Sequence, residues 1–228
     1  MYGDAIRLIE DALEAGVFPA AVVDVGNAAG SQWSYAAGTI TTDSGERTVS
    51  PDTVFDLASL TKVIATTTLA IRQVDTLMLD LDRPIKESFP SWNSKDRQVV
   101  TARDLLSHSS GLPAYAPLFR NHNGRDEFED VICSMPLAYR PRTQSIYSDL
   151  GYILLGLLLT DGVSDAQPLD LQFRFLAKDR NWGDICFRPP ASWLGRTAPT
   201  ERDDWRGRLL RGEVHDENCF ALGGVSGH

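Results

Sequence analysis

The chain has 228 residues, enough for one large domain or two small ones. Its formal net charge of −9 makes it a poor partner for nucleic acid, because phosphate contacts require a basic face. Three cysteines and four histidines are dispersed without metal-ligand spacing, so we predict reduced thiols and no metal site. The N-terminus carries no signal-peptide pattern, and no apolar run reaches the ~20 residues that a bilayer requires. We therefore expect a cytoplasmic protein with no membrane span.

The first forty residues predict a helix followed by a β-hairpin. Apolar residues recur with helical period from Ala5 to Leu13, and Asp4 and Gly16 are suited to cap the two ends. Residues 20–38 then predict two antiparallel strands joined by a glycine-containing turn.

The middle of the chain predicts a surface loop and then a buried helix. Residues 40–52 are polar and rich in turn formers, which predicts the loop. From Ser59 to about Val74 there is no Gly or Pro, and the residues are apolar or small on nearly every side, as in a helix buried in a core. Ser59 opens this helix, where the positive end of the helix dipole favours a developing oxyanion.

Further along, two helices are separated by a segment without clear periodicity. Residues 101–107 predict a short helix with a capping box between Thr101 and Asp104. Residues 114–145 predict an irregular cleft wall or lid. An apolar helix follows from Leu150 to Thr160. Residues 161–218 predict mostly loop, with one strand at 185–187.

Two short motifs carry the chemistry. Ser59 precedes Lys62 by three residues, and on a helix this spacing brings the hydroxyl and the amine onto one face. A partly desolvated lysine in that place can accept the serine proton. Lys62 is the only one of four lysines with a serine three residues before it. Tyr147-Ser-Asp149 adds a phenol and a carboxylate.

These motifs and their flanks resemble the penicillin-recognising serine hydrolases, which include class C β-lactamases, DD-peptidases and β-lactamase-like carboxylesterases. The resemblance rests on four segments in the family's order: residues 55–62 (FDLASLTK), 105–113 (LLSHSSGLP), 147–156 (YSDLGYILLG) and 220–228 (FALGGVSGH). It implies an α+β, β-lactamase/DD-peptidase-like fold with a helical region and an antiparallel sheet. It also implies a small-molecule acyl substrate, whether ester, amide or β-lactam, and no cofactor.

By this resemblance Ser59 is the nucleophile, Lys62 its base or proton relay, and Tyr147 the second proton-transfer group. Asp149 is a binding residue that stands where the family usually has Asn. A carboxylate there only accepts hydrogen bonds and favours a protonated Lys62, which shifts proton transfer towards Tyr147. A helix N-terminal charge is an equally good interpretation of Asp149. His108 is expected to be structural.

The chain also departs from the family pattern. Residues 161–218 diverge from it, and the family's third motif, carried by a later strand, does not occur. We therefore expect residues 1–228 to be one domain resembling the N-terminal two-thirds of the family domain, with an incomplete sheet. An unpaired edge at residues 20–38 favours a partner or self-association. Three hypotheses follow: an active serine hydrolase; a truncated, catalytically silent relative that binds an acyl ligand or a partner; or a fragment with no function of its own.

Overall fold

The computed structural model describes residues 2–42, 45–161 and 167–228. Two compact units contain them: the residues up to Asp56 with Pro189–Glu213, and Leu57–Arg188 with Val214–His228. We call these the sheet unit and the helical unit. The interpretation of the whole chain as one domain stays a prediction.

The sheet unit begins with the predicted helix and hairpin. Helix α1 is followed by three antiparallel strands in the order β1-β2-β3: α1 Gly3–Glu14, β1 Ala20–Asn27, β2 Gly30–Thr42 and β3 Gly45–Thr48. The hairpin prediction is confirmed, with a register shift between Val25 and Gly26. The predicted loop at 40–52 is wrong in its first half, because β2 continues and pairs with β3.

The predicted C-terminal cap of α1 is confirmed, and the predicted N-terminal cap is wrong. Gly16 adopts the left-handed conformation with φ +66°, and its N–H bonds to the Leu13 carbonyl, as in a helix C-terminal turn. Asp4 does not cap the N-terminus, because the helix already begins at Gly3 and Asp4 lies in its first turn.

The second part of the sheet unit packs back onto the strands. It contains a 3₁₀ turn at Ala191–Arg196 and the short antiparallel pair β4 Arg202–Asp203 and β5 Arg208–Leu209. A backbone bridge joins Val54 to Thr197, and the small buried core of the unit consists of Ile40, Val49 and Ala198.

The helical unit is built around one apolar helix. Its elements are a π-helical turn Lys62–Thr67, α2 Thr68–Asp75, α3 Ala102–Leu106, α4 Gly124–Ser134, α5 Asp149–Asp161, α6 Leu169–Asp179 and α7 Glu217–Ala221, with 3₁₀ turns at Ile85–Glu87 and Leu118–Arg120. Helix α5 contacts the π-helical turn, α2, α3, α4 and α6. Its side chains are buried on nearly every side, as expected for a helix without a polar face.

The helix after Ser59 is only half buried, which corrects the prediction of a fully buried element. Ala65 and Leu69 are packed in the core, whereas Leu60, Val63 and Ile71 are 53–56% exposed. The helix contacts α5 and α6. Composition alone does not reveal this, because both faces are apolar.

The predictions of irregular structure at 114–145 and 161–218 are wrong, because each segment contains an amphipathic helix. Residues 114–145 contain α4, whose buried side chains Phe128, Ile132 and Cys133 lie on one face. Residues 161–218 contain α6, with Leu169, Phe173, Leu176 and Ala177 buried. The predicted strand at 185–187 is absent from the described structure, in which these residues are irregular. Residues 162–166 lie outside the described ranges.

Candidate active site

Lys62 occupies the centre of the candidate site. Its side chain is 3% exposed, and Nζ lies 2.9 Å from Ser59 Oγ and 2.6 Å from Asp149 Oδ1. Asp149 is 21% exposed and completes a largely buried ion pair. The structure thus brings together the serine, the lysine and the acidic residue that the sequence singled out.

The local backbone presents Ser59 outward. Ala58 adopts a left-handed conformation with φ +46°, which is unfavourable for a residue with a Cβ and marks a tight, strained turn. Leu60 N–H bonds to the Leu57 carbonyl, and Lys62 N–H bonds to the Ser59 carbonyl. Ser59 itself is exposed. Within the described ranges its own N–H donates no hydrogen bond, so this group is available to an incoming oxyanion.

Asp149 is held at the first turn of α5. Its N–H donates to the Ala114 carbonyl at 2.9 Å. The neighbouring Ser148 is buried, donates from its hydroxyl to the Pro113 carbonyl at 2.6 Å, and accepts from the Gly151 N–H at 3.1 Å. These bonds fix the carboxylate near Lys62, and the helix dipole stabilises its negative charge.

Two tyrosine rings surround the ammonium group. Nζ of Lys62 lies 4.7 Å from the Tyr147 ring centroid and 5.8 Å from that of Tyr152, both within cation–π range. Tyr147 meets the lysine through its ring, and in the described chain its hydroxyl forms no hydrogen bond. Tyr152 was not singled out from the sequence, although it lies in the same motif as Tyr147. Its hydroxyl donates to the Leu106 carbonyl at 3.2 Å.

His108 contacts the rings of Tyr147 and Tyr152, in agreement with the structural role predicted for it. Its Nδ1 accepts from the Ser148 N–H at 3.0 Å, and its ring lies 4.7 Å from Tyr147 and 4.9 Å from Tyr152. Burial, and then the charge of Lys62, lower the pKa of His108 below its ordinary value. The neutral ring therefore carries its hydrogen on Nε2.

A second polar cluster lies at Asp216, Ser226 and His228. The His228 ring bonds through Nε2 to Asp216 at 2.9 Å and through Nδ1 to Ser226 at 2.6 Å. Burial is the largest influence on the Asp216 pKa and raises it, but the His228 hydrogen bond and the charges of His228 and Lys62 together lower it below its ordinary value. No periodic pattern in the sequence indicates this cluster, because only folding brings its members together.

Neither metal binding nor membrane insertion has support among the described residues. No group of three His, Cys, Asp or Glu side chains there is arranged to hold a metal ion. No helix in the same ranges combines the length and the apolar character needed to cross a bilayer.

The comparisons with known proteins agree with this architecture. The Beta-lactamase family model matches residues 5–174. A class C β-lactamase from Rhodobacter sphaeroides superposes with a TM-score of 0.75 at 23% identity, covering 96% of this chain and 60% of that one. A β-lactamase from Sulfitobacter sp. EE-36 gives a TM-score of 0.71 at 25% identity, covering 96% of this chain and 60% of its own.

Curated relatives extend the similarity to an amidase and a putative carboxypeptidase. An N-acetylmuramyl-L-alanine amidase of Bacillus subtilis is 29% identical over 77% of this chain and 46% of its own length. A putative D-alanyl-D-alanine carboxypeptidase of Salmonella gallinarum is 28% identical over 78% of this chain and 47% of its own. The chain thus spans about half the length of the curated relatives it matches. The family match and the class C-like fold confirm the predicted resemblance, and the chain belongs to the Beta-lactamase family.

Proposed function

We propose that this chain is a serine hydrolase that forms an acyl-enzyme on Ser59. The observation that carries the proposal is the 2.9 Å contact between the exposed Ser59 hydroxyl and the buried Lys62 amine. A nucleophile beside a desolvated nitrogen base is the arrangement that acyl transfer requires. Membership of the Beta-lactamase family supports hydrolysis as the reaction class.

In the proposed reaction, Ser59 Oγ attacks the carbonyl carbon while its proton passes to Lys62. The carbonyl π electrons move to oxygen, where the Ser59 N–H donates to them. Collapse of this intermediate expels the leaving group, which takes up a proton, and leaves the acyl group on Ser59. Water then repeats the sequence and releases the acid. Tyr147, whose ring centroid lies 4.7 Å from Lys62 Nζ, keeps the role of second proton-transfer group that the family resemblance implies, with its hydroxyl acting on the leaving group rather than on Lys62.

The substrate is an ester, amide or β-lactam carbonyl. The names of the curated relatives, an amidase and a putative carboxypeptidase, favour amides. The β-lactamase structures favour β-lactams. Small esters need the fewest binding contacts of the three. We propose amides and β-lactams as the substrate class and esters as the least demanding test substrates.

A substrate panel tests this proposal. A p-nitrophenyl ester, a penicillin and a D-alanyl-D-alanine peptide are offered to the wild type, to Ser59→Ala and to the control Ser94→Ala, which alters an exposed serine elsewhere. We expect turnover of at least one substrate by the wild type and Ser94→Ala. We expect its loss in Ser59→Ala by at least ~10²-fold. Equal rates in all three proteins would contradict the proposal.

The rival function is a binding module. In the three-stranded sheet β1 pairs with β2 alone, so within the described sheet unit its other side is open for strand addition. A folded chain that binds an acyl compound without forming a covalent adduct, or that binds a peptide along β1, would favour this alternative over hydrolysis.

A further inference from the structure

Ser59, Lys62 and Asp149 lie in one chain of close polar contacts: a hydrogen bond joins Ser59 to Lys62, and an ion pair without hydrogen-bond geometry joins Lys62 to Asp149. Oγ of Ser59 lies 2.9 Å from Nζ of Lys62, which lies 2.6 Å from Oδ1 of Asp149. The lysine side chain is 3% exposed, so solvent has little access to its nitrogen. A proton that leaves Lys62 therefore passes more readily to a neighbouring protein group than to solvent.

This geometry places a condition on Lys62 as a base. A lysine paired with a carboxylate at 2.6 Å is held in its charged form, which has no lone pair to accept the serine proton. Lys62 can take that proton only as it gives another away. The acceptor must lie within hydrogen-bond distance of Nζ.

Five ionisable groups near this pair, among those that the structure describes, offer no better acceptor than the Asp149 carboxylate. They are His108, Tyr115, Tyr147, Tyr152 and Asp216. His108 already uses Nδ1 to accept from the Ser148 N–H. Asp216 is bonded to His228 and to the Cys219 N–H. The tyrosines at 147 and 152 approach Lys62 through their rings, and the Tyr152 hydroxyl is bonded elsewhere.

We infer that Asp149 is a catalytic residue, the terminal proton acceptor of a Ser59–Lys62–Asp149 relay. This inference rests on the proposed function and departs from the binding role expected for position 149. As Ser59 Oγ bonds to the carbonyl carbon, its proton moves to Nζ, and one of the Nζ protons moves to Asp149 Oδ1. The lysine is charged before and after the transfer. When the leaving group departs, the same relay returns the proton to it, and Asp149 becomes a carboxylate again.

The test compares the pH dependence of Ser59 labelling by a fluorophosphonate in the wild type, Asp149→Asn and Asp149→Glu. Asparagine cannot take the proton, so Lys62 of that variant must first lose one to solvent, which happens more readily as the pH rises. We expect Asp149→Asn to label ~10²-fold or more slowly at pH 6, and the deficit to shrink steadily towards pH 10. Asp149→Glu keeps a carboxylate and should retain the acidic part of the wild-type profile.

The possible results distinguish a failure of the relay from a failure of the proposed function. A uniform deficit at every pH, or none, in Asp149→Asn would overturn the relay while leaving Ser59 as the nucleophile. Absence of labelling in folded wild type would overturn the proposed function and the relay together.

Discussion

The Thr66 hydroxyl donates a 2.6 Å hydrogen bond to the Gly227 carbonyl, which joins the helix after Ser59 to the glycine-rich segment 161 residues later. Thr66 is fully buried, so this bond has no competition from water. Gly227 lies against α5 at Gly156 and the Tyr152 carbonyl. The segment is thus packed between the two helices that carry Lys62 and Asp149.

Replacement of Gly227 by alanine tests this packing. The added Cβ would lie 2.2 Å from the Tyr152 carbonyl oxygen and 2.8 Å from the Gly156 Cα, and neither backbone atom can move freely. We expect Gly227→Ala to lower the free energy of unfolding by about 1–3 kcal/mol in urea denaturation. Gly195→Ala is the control, because its Cβ meets nothing within 4 Å. Equal stability of the two variants would argue against the close packing.

Removal of the buried ammonium group tests the ion pair. Lys62→Ala leaves Asp149 without its partner in a largely buried setting, and we expect a loss of roughly 3–5 kcal/mol in the free energy of unfolding. Labelling of Ser59 should fall with it. The control Lys95→Ala alters an exposed lysine and should change stability by less than ~0.5 kcal/mol. A small effect of Lys62→Ala would mean that the pair is solvated.

His108 predicts how stability changes with pH. Burial, and then the charge of Lys62, lower the pKa of His108 in the folded state. Between that folded pKa and the ordinary pKa of ~6.5, the unfolded chain therefore binds more protons than the folded protein. The stabilisation from neutral His108 is therefore complete above pH ~6.5 and is lost as the pH falls through the folded pKa. Urea denaturation should show a steeper acidic decline in wild type than in His108→Gln. Parallel curves would contradict the predicted direction.

The sequence was most informative where one local pattern decides the structure. The Thr101–Asp104 capping box forms as predicted, with the Asp104 carboxylate accepting from the Thr101 N–H at 2.9 Å. The apolar run from Leu150 became α5, because a segment with no polar face must be surrounded on all sides. The Ser59–Lys62 contact agrees with the predicted three-residue spacing, but Ser59 lies in a turn closed by the Lys62 N–H and the Ser59 carbonyl, and the π-helical turn begins only at Lys62.

Other features depended on information that a local pattern does not contain. Helix α6 is an exception that does carry a local signal, because Leu169, Phe173 and Leu176 recur at helical spacing, but the apolar Leu171 and Phe175 between them obscure it. Exposure of Val63 depends on which element covers each face of an apolar helix. The contact of Asp216 with His228 arises only because α7 and the following segment fold back on each other.

The activation of Ser59 as a nucleophile can be observed directly by intact-mass spectrometry. The protein is incubated with a fluorophosphonate and, separately, with a penicillin. The experiment uses wild type, Ser59→Ala and Ser94→Ala, each shown by circular dichroism to be folded. We expect wild type and Ser94→Ala to gain the mass of one label per chain, and Ser59→Ala to gain none. Folded wild-type protein that gains no mass with either reagent, or a gain that persists in Ser59→Ala, would contradict the activation of Ser59 as a nucleophile.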